Sequence, residues 1–268
     1  MSDFSPTSWW RRFLALPNES RTKTLGVAFI VALVAATTVS VTSVMLKPRQ
    51  QVHIDAAREA KLAAMIATLP GLADIMRETG AETLEAVIVD LQTGQIDGTL
   101  EAAEFDFLAA QTDPLQATAL LPEADIAGIR QRPNLAPVYL LQGSDGLALV
   151  VLPVYGKGYQ STIRAYLALE GNLNTIAGLS IYEQGETPGL GSRITDPAWL
   201  GLWSDKEAAD AQGEITITVV RGAAATSSEV DGITGATRSA TGVANLVRFW
   251  MGPQGYGPFL TRLKAGEF

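Results

Sequence analysis

The chain has no cysteine and a single histidine, His53, among its 268 residues. Without thiols it can form no disulfide framework, no cysteine nucleophile and no cysteine-ligated zinc or iron–sulfur centre of its own. One imidazole leaves little for a multi-histidine metal site, and no metal is expected. Basic residues are also scarce: 20 Lys and Arg stand against 28 Asp and Glu, a net charge of −8. Neutralising phosphates along a nucleic acid needs clustered Lys and Arg, which this chain lacks, so nucleic acid is excluded as a partner. What is plentiful is apolar content, 47%, together with 25 glycines, a composition that suits a compact fold with many turns.

Charge is missing altogether from Thr24 to Leu46, a 23-residue run bracketed by Arg21 and Lys23 before it and Lys47 and Arg49 after it. As a helix it would extend roughly 35 Å at 1.5 Å per residue, enough for a hydrocarbon core of roughly 30 Å. The organisation expected is an N-terminal segment, 1–23, a single transmembrane helix, 24–46, and a soluble domain, 47–268. A cleaved signal peptide or a buried core helix are the competing readings of the run. Orientation is undecided by charge, because Arg11, Arg12, Arg21 and Lys23 are matched by Lys47, Arg49, Arg58 and Lys61. The stretch from Trp9 to Leu16 reads as interfacial or as an aromatic-bearing tail, and His53 as interfacial or solvated.

Beyond the apolar run, alanines from Val52 to Leu69 predict a helix ended by Pro70 and Gly71. Strands are predicted at 86–91, 137–141, 147–154, 162–169, 176–182 and 215–220 from their β-branched and aromatic content. The turn sequences QTGQ at Gln92, QGSDG at Gln142 and EGNLN at Glu170 are hairpin candidates. Hairpin-linked strands with inserted helices make this an α+β domain on a mainly antiparallel sheet.

The richest stretch runs from Asp231 to Val243, DGITGATRSATGV. Apolar residues at 243, 246, 247 and 250 fall at i, i+3, i+4 and i+7, so a helix is predicted to begin near Thr237 or Ser239. Its first amides and the positive end of its dipole would suit a phosphate, and Gly235 and Ala236 would let a bulky group approach the main chain. The same hydroxyls, Thr237, Ser239 and Thr241, are equally readable as helix caps.

The run DGITGAT resembles the flavinylation signature D-x-x-S/T-G-A-S/T, whose last hydroxyl residue carries FMN through a phosphoester. Together with PVYGKG at Pro153, ETPGLGSRI at Glu186 and FWMGPQGYGPFL at Phe249, it is similar to the NqrC family, components of the Na+-translocating NADH:quinone oxidoreductases, from the N-terminal span to the C-terminus. The resemblance implies covalent FMN on Thr237, with Thr187, Gly189, Leu190, Gly191, Thr234, Gly235, Ala236, Ser239 and Lys157 around the cofactor. It implies an electron-transfer flavoprotein with a phosphoester-modified Thr, working as one subunit of a sodium-pumping NADH:ubiquinone reductase. NADH oxidation and quinone reduction then belong to other subunits, and the isolated chain carries electrons only. It implies further a flavin transferase that uses FAD and Mg2+, a cytoplasmic N-terminal segment, and a periplasmic domain anchored in the bacterial inner membrane. The G component of Rnf-type ion-translocating complexes shares the flavinylation and ETPGLG motifs and is the alternative, as is a non-redox anchored binding domain.

The loop 186–191 combines Pro188 with two glycines. It reads either as a tight surface turn or, with Thr237 considered, as the seat of the isoalloxazine, Leu190 giving an apolar contact and Thr187 a hydrogen bond. Lys157 is placed to offset phosphate charge or to be a solvated turn lysine, and Arg238 to screen the phosphodiester or to sit free on the surface. Neither Gly156 nor Gly189 opens a G-x-G-x-x-G before a helix, so no nicotinamide site is expected. Where the family commonly has Leu-Trp after YGKG, this chain has Tyr159 and Gln160, which removes any flavin contact made by that Trp.

Overall fold

The computed structural model describes residues 15, 17, 20–21, 23–38, 40, 85–100, 102, 105–143 and 146–267. The chain divides into two units, Met1–Glu59 and Ala60–Phe268. In the first, residues 23–38 are helical, and Leu25, Val27, Phe29, Val31, Leu33 and Val34 all point outward. Among the described residues no helix is long and apolar enough to cross a membrane. Residues 41–46 of the expected span, the expected helix from Val52 to Leu69, and His53 lie outside the described residues.

The second unit is built on a seven-stranded sheet of β1 (Glu85–Asp90), β2 (Ile96–Asp97), β5 (Leu135–Gly143), β6 (Gly146–Lys157), β7 (Thr162–Glu170), β8 (Thr175–Glu183) and β9 (Lys206–Glu207). Their order is β2-β1-β5-β6-β7-β8-β9, antiparallel at every join. The long central strands coincide with the β-branched and aromatic runs of the sequence, and the three expected turns join β1 to β2, β5 to β6 and β7 to β8. Between β2 and β5 the chain makes an excursion containing α1 (Phe107–Ala110), β3 (Ala117–Ala119) and β4 (Gln131–Pro133). The expected strand at 215–220 is shorter than its composition implies. Only β10 (Thr218–Val220) forms, because its parallel partner β11 (Glu229–Asp231) offers three residues, and Ile215 makes just an isolated bridge to Ala209.

After β8 come the short α2 (Pro197–Leu200), then α3 (Thr237–Met251) and α4 (Gly257–Ala265). α3 begins at Thr237 and carries its apolar seam from Val243 onward: Val243, Leu246, Val247 and Trp250 are all buried against the sheet. Burying each such side chain is worth about 1.5–3 kcal/mol, so the seam fixes the helix direction. Two polar contacts lock its far end. The Trp250 indole N–H donates to the Tyr155 carbonyl at 2.7 Å, and the Tyr256 hydroxyl donates to the Pro153 carbonyl at 2.9 Å. Gly156 lets Leu246 sit against β6, where an added Cβ would fall 2.7 Å from Leu246 Cβ.

Candidate functional site

The approach to α3 is a tight turn. The Ala236 amide donates to the Ile233 carbonyl at 3.0 Å, and Gly235 sits at φ +83°, which a Cβ-bearing residue adopts only with strain. The turn delivers Thr237, exposed, as the first helical residue. Ala236 at the cap position supplies no side-chain acceptor. The amides of Thr237, Arg238 and Ser239 consequently find no acceptor among the described residues. An uncapped start to a 15-residue helix, with its dipole intact, favours an anion at that point. Ser239, read from sequence either as a ligand contact or as a cap, has its hydroxyl engaged elsewhere. Its side chain is 2% exposed and its hydroxyl donates to Glu186 Oε2 at 2.6 Å.

Glu186 is the residue that sequence reasoning passed over. Only 4% exposed, its Oε1 accepts the Gln160 amide at 3.0 Å, the Ser161 amide at 3.1 Å and the Ser161 hydroxyl at 3.2 Å. Burial pushes its carboxyl up, but the hydrogen bonds from Ser239, Gln160 and Ser161 outweigh that and hold it below the usual glutamate range. The carboxylate thereby joins three segments: the loop 186–191, the β6–β7 turn, and the first turn of α3. Small residues make the join possible. A Cβ on Gly191 would lie 2.7 Å from Ser239 Oγ, one on Gly158 would lie 2.5 Å from Glu186 Oε1, and one on Gly242 would lie 2.8 Å from the Lys157 carbonyl.

The loop 186–191 therefore stands beside the start of α3. Gly189 has φ +74°, and its amide donates to Ser192 Oγ at 3.0 Å. Leu190 is 53% exposed, with its Cδ2 3.7 Å from where a Cβ on Gly235 would sit. Thr187 Oγ1 accepts from Gln160 Nε2 at 3.0 Å, so its own proton remains to donate. Thr234 is exposed, and its carbonyl lies 3.5 Å from Arg193 Nη1. Gln160 thus fastens the loop through both its amide and its side chain.

On the other side of Thr237 is a cavity of about 330 Å³ lined by Asp125, Ile126, Ala127, Gly128, Lys157, Gly158, Thr237, Arg238, Thr241, Gly242 and Asn245. This lies within the range of small-molecule sites, about 300–1,000 Å³. Larger hollows elsewhere involve neither Thr237 nor the loop 186–191. Lys157 and Arg238 bring positive charge to the cavity wall, while both oxygens of Asp125 are taken by the amides of Ile129 and Arg130 at 2.9 and 2.7 Å. The Arg238 guanidinium lies over the Tyr159 ring at 5.1 Å, which fixes it near the helix start. The wall at 125–128 had no signal in the sequence, since the excursion that carries it shows no periodicity.

An exposed hydroxyl, uncapped amides, flanking cations and a neighbouring bare turn form the residue set an FMN phosphate and ring require. In agreement, the FMN-binding domain family matches residues 158–252, a range holding the loop, the turn and most of α3. The chain as a whole belongs to the NqrC family, whose members are subunits of the Na+-translocating NADH-quinone reductases. It is similar to the family member from Pseudomonas aeruginosa, at 38% identity over 93% of this chain and 98% of the relative. The member from Vibrio alginolyticus is 37% identical over 95% of this chain and 99% of the relative. Among solved structures, that of Shewanella oneidensis NqrC superposes with a TM-score of 0.65 at 37% identity, covering 72% of this chain and 88% of that one.

Proposed function

We propose that this chain is an electron-carrying subunit of a Na+-translocating NADH-quinone reductase, with FMN joined by a phosphoester to Thr237. The observation that carries the reading is the pairing of an exposed Thr237 hydroxyl with an uncapped helix start between Lys157 and Arg238. Bound FMN supplies one- and two-electron redox chemistry at its ring. The chain's own residues do the holding. The amides of Thr237, Arg238 and Ser239 and the two cations take the phosphate charge, and Gly235 and Ala236 leave room for it. Leu190 gives the ring an apolar face, the Thr187 hydroxyl donates to a ring acceptor, and Gly189 and Gly191 keep the main chain close. Ser239 serves the site indirectly, by tethering Glu186.

Attachment is the work of a flavin transferase that takes FAD. The Thr237 oxygen bonds to the FMN phosphorus, the pyrophosphate bond breaks, and AMP leaves with the hydroxyl proton. Residues 24–46 anchor the chain in the bacterial inner membrane, residues 1–23 lie in the cytoplasm, and 47–268 form a periplasmic domain. A covalent bond suits that location, where a dissociated cofactor could not readily be replaced. Family membership favours this assembly over an Rnf-type complex. The reading is tested by denaturing electrophoresis of the protein from its own host: the wild-type band fluoresces under ultraviolet light and Thr237→Ala is dark. A dark wild-type band overturns it. The purified chain alone shows no catalytic NADH oxidation, and turnover would contradict the division of labour among subunits.

A further inference from the structure

Gln160 and Thr187 meet across the junction that Glu186 holds together. The Gln160 side-chain Nε2 donates to Thr187 Oγ1 at 3.0 Å, while its backbone N–H donates to Glu186 Oε1 at 3.0 Å. One residue of the β6–β7 turn thus grips two successive residues of the loop 186–191. The turn is itself tied down. The Gly158 amide donates to the Ser161 carbonyl at 2.7 Å, and Ser161 Oγ accepts the Gly185 amide at 2.7 Å. A Cβ on Gly185 would lie only 3.2 Å from Ser161 Cβ, so the two segments run in close contact.

The hydroxyls of this junction divide by what they do with their protons. Ser239 and Ser161 both donate to Glu186, at 2.6 and 3.2 Å. With the Gln160 and Ser161 amides, four donors converge on that carboxylate, about as many as its lone pairs accept. It has nothing left for Thr187. The Thr187 hydroxyl accepts instead, and among the described residues its own proton has no acceptor. A hydroxyl rotates to suit its partners, but a lone pair fixed by an outside donor turns the O–H away from that donor. Gln160 therefore decides where the proton points. Had its side chain presented Oε1, the Thr187 proton would be spent on it.

On the seat of the isoalloxazine proposed above, at Leu190 and Thr187, we infer that Gln160 is a positioning residue for the flavin: by donating to Thr187 Oγ1 it keeps the Thr187 O–H directed at a ring acceptor, and so raises the cofactor's reduction potential. Reduction adds electron density to the ring's acceptor atoms, so a hydrogen bond to one of them is stronger in the reduced state and favours it. Gln160 acts only through Thr187.

The test measures the midpoint potential of the covalently bound flavin, at one pH, in the full chain purified from its own host. Gln160→Glu replaces the donor with an acceptor of nearly the same shape, which takes the Thr187 proton for itself. Its added charge also lowers the potential, so the same change is made in Thr187→Val, where no hydroxyl remains to be turned and only the charge acts. Gln160→Glu is expected to favour oxidised flavin about tenfold more in the wild-type background than in Thr187→Val, the weight of about one hydrogen bond to a charged group, which is about 30 mV for a two-electron couple. Should Gln160→Glu not fold, Gln160→Met, which removes the donor and adds no charge, takes its place in the cycle, with a smaller difference of the same sign. Equal shifts in the two backgrounds, or a larger one in Thr187→Val, overturn the inference. Fluorescence of each variant on a denaturing gel separates that failure from failure of the attachment itself. Fluorescent bands with additive shifts overturn the role of Gln160 alone, whereas a dark wild-type band overturns the attachment and the inference together.

Discussion

Ser239 and Glu186, 53 residues apart in sequence, meet in a buried hydrogen bond of 2.6 Å. It ties the loop 186–191 to the first turn of α3, and so sets where Leu190 and Thr187 stand relative to Thr237. Because hydrogen bonds hold the Glu186 carboxyl below its unfolded value, its contribution is complete above the unfolded glutamate pKa, about 4.3. That contribution fades as pH falls through this value and on through the lower folded one. Glu186→Gln is expected to cost about 2 kcal/mol at neutral pH. In urea titrations from pH 7 downward the gap to wild type narrows only below about pH 5; a gap that stays constant far into the acid range would contradict the assignment.

Crowding at the same junction makes Gly191 intolerant of a side chain. Its Cβ would lie 2.7 Å from Ser239 Oγ and 2.9 Å from Glu186 Cβ, and both neighbours are buried. Gly191→Ala is expected to lower stability by about 1–3 kcal/mol and to reduce the fraction of chains carrying flavin, read as the ratio of visible to protein absorbance. Unchanged loading and midpoint would show the junction to be slack.

Lys157 and Arg238 are expected to act on cofactor loading and hardly on the fold. Replacing surface charges shifts stability within about 0.5 kcal/mol, whereas removing both cations strips the phosphate of its counter-charge. The Lys157→Ala, Arg238→Ala pair should slow flavinylation in a time course while leaving the urea midpoint in place. Loading at the wild-type rate would assign both residues to the solvent.

Trp250 anchors the far end of α3, so its indole N–H can be removed without touching the cofactor. Trp250→Phe orphans the buried Tyr155 carbonyl, now 2.7 Å from Nε1, at a cost of about 1–3 kcal/mol. The midpoint of denaturation should fall while covalent flavin is retained.

Much of this was legible in the sequence where a local rule sufficed. The long strands announced themselves by β-branched and aromatic content, the hairpins by their Gly and Asn turns, and the start of α3 by the seam at 243, 246, 247 and 250. The two- and three-residue strands β2, β3, β4, β9 and β11 carry too few residues for any period. The strand expected at 215–220 overshot because pairing length is set by a partner far along the chain. Within the site, Thr237 and the loop 186–191 were marked by motif chemistry. Glu186 was not, since a glutamate ahead of a turn looks solvated until Ser239, Gln160 and Ser161 are seen to close on it. Ser239 was ambiguous for the complementary reason: its spacing fits a cap or a ligand contact, and only the tertiary contact shows its hydroxyl bonded to Glu186.

The most direct trial of the central claim is peptide mass spectrometry of the protein purified from its own host. The account predicts that the peptide containing Thr237 carries the mass of FMN less one water, with fragmentation placing it on that residue, and that Thr237→Ala carries none. An unmodified Thr237 peptide from fully assembled protein would contradict it.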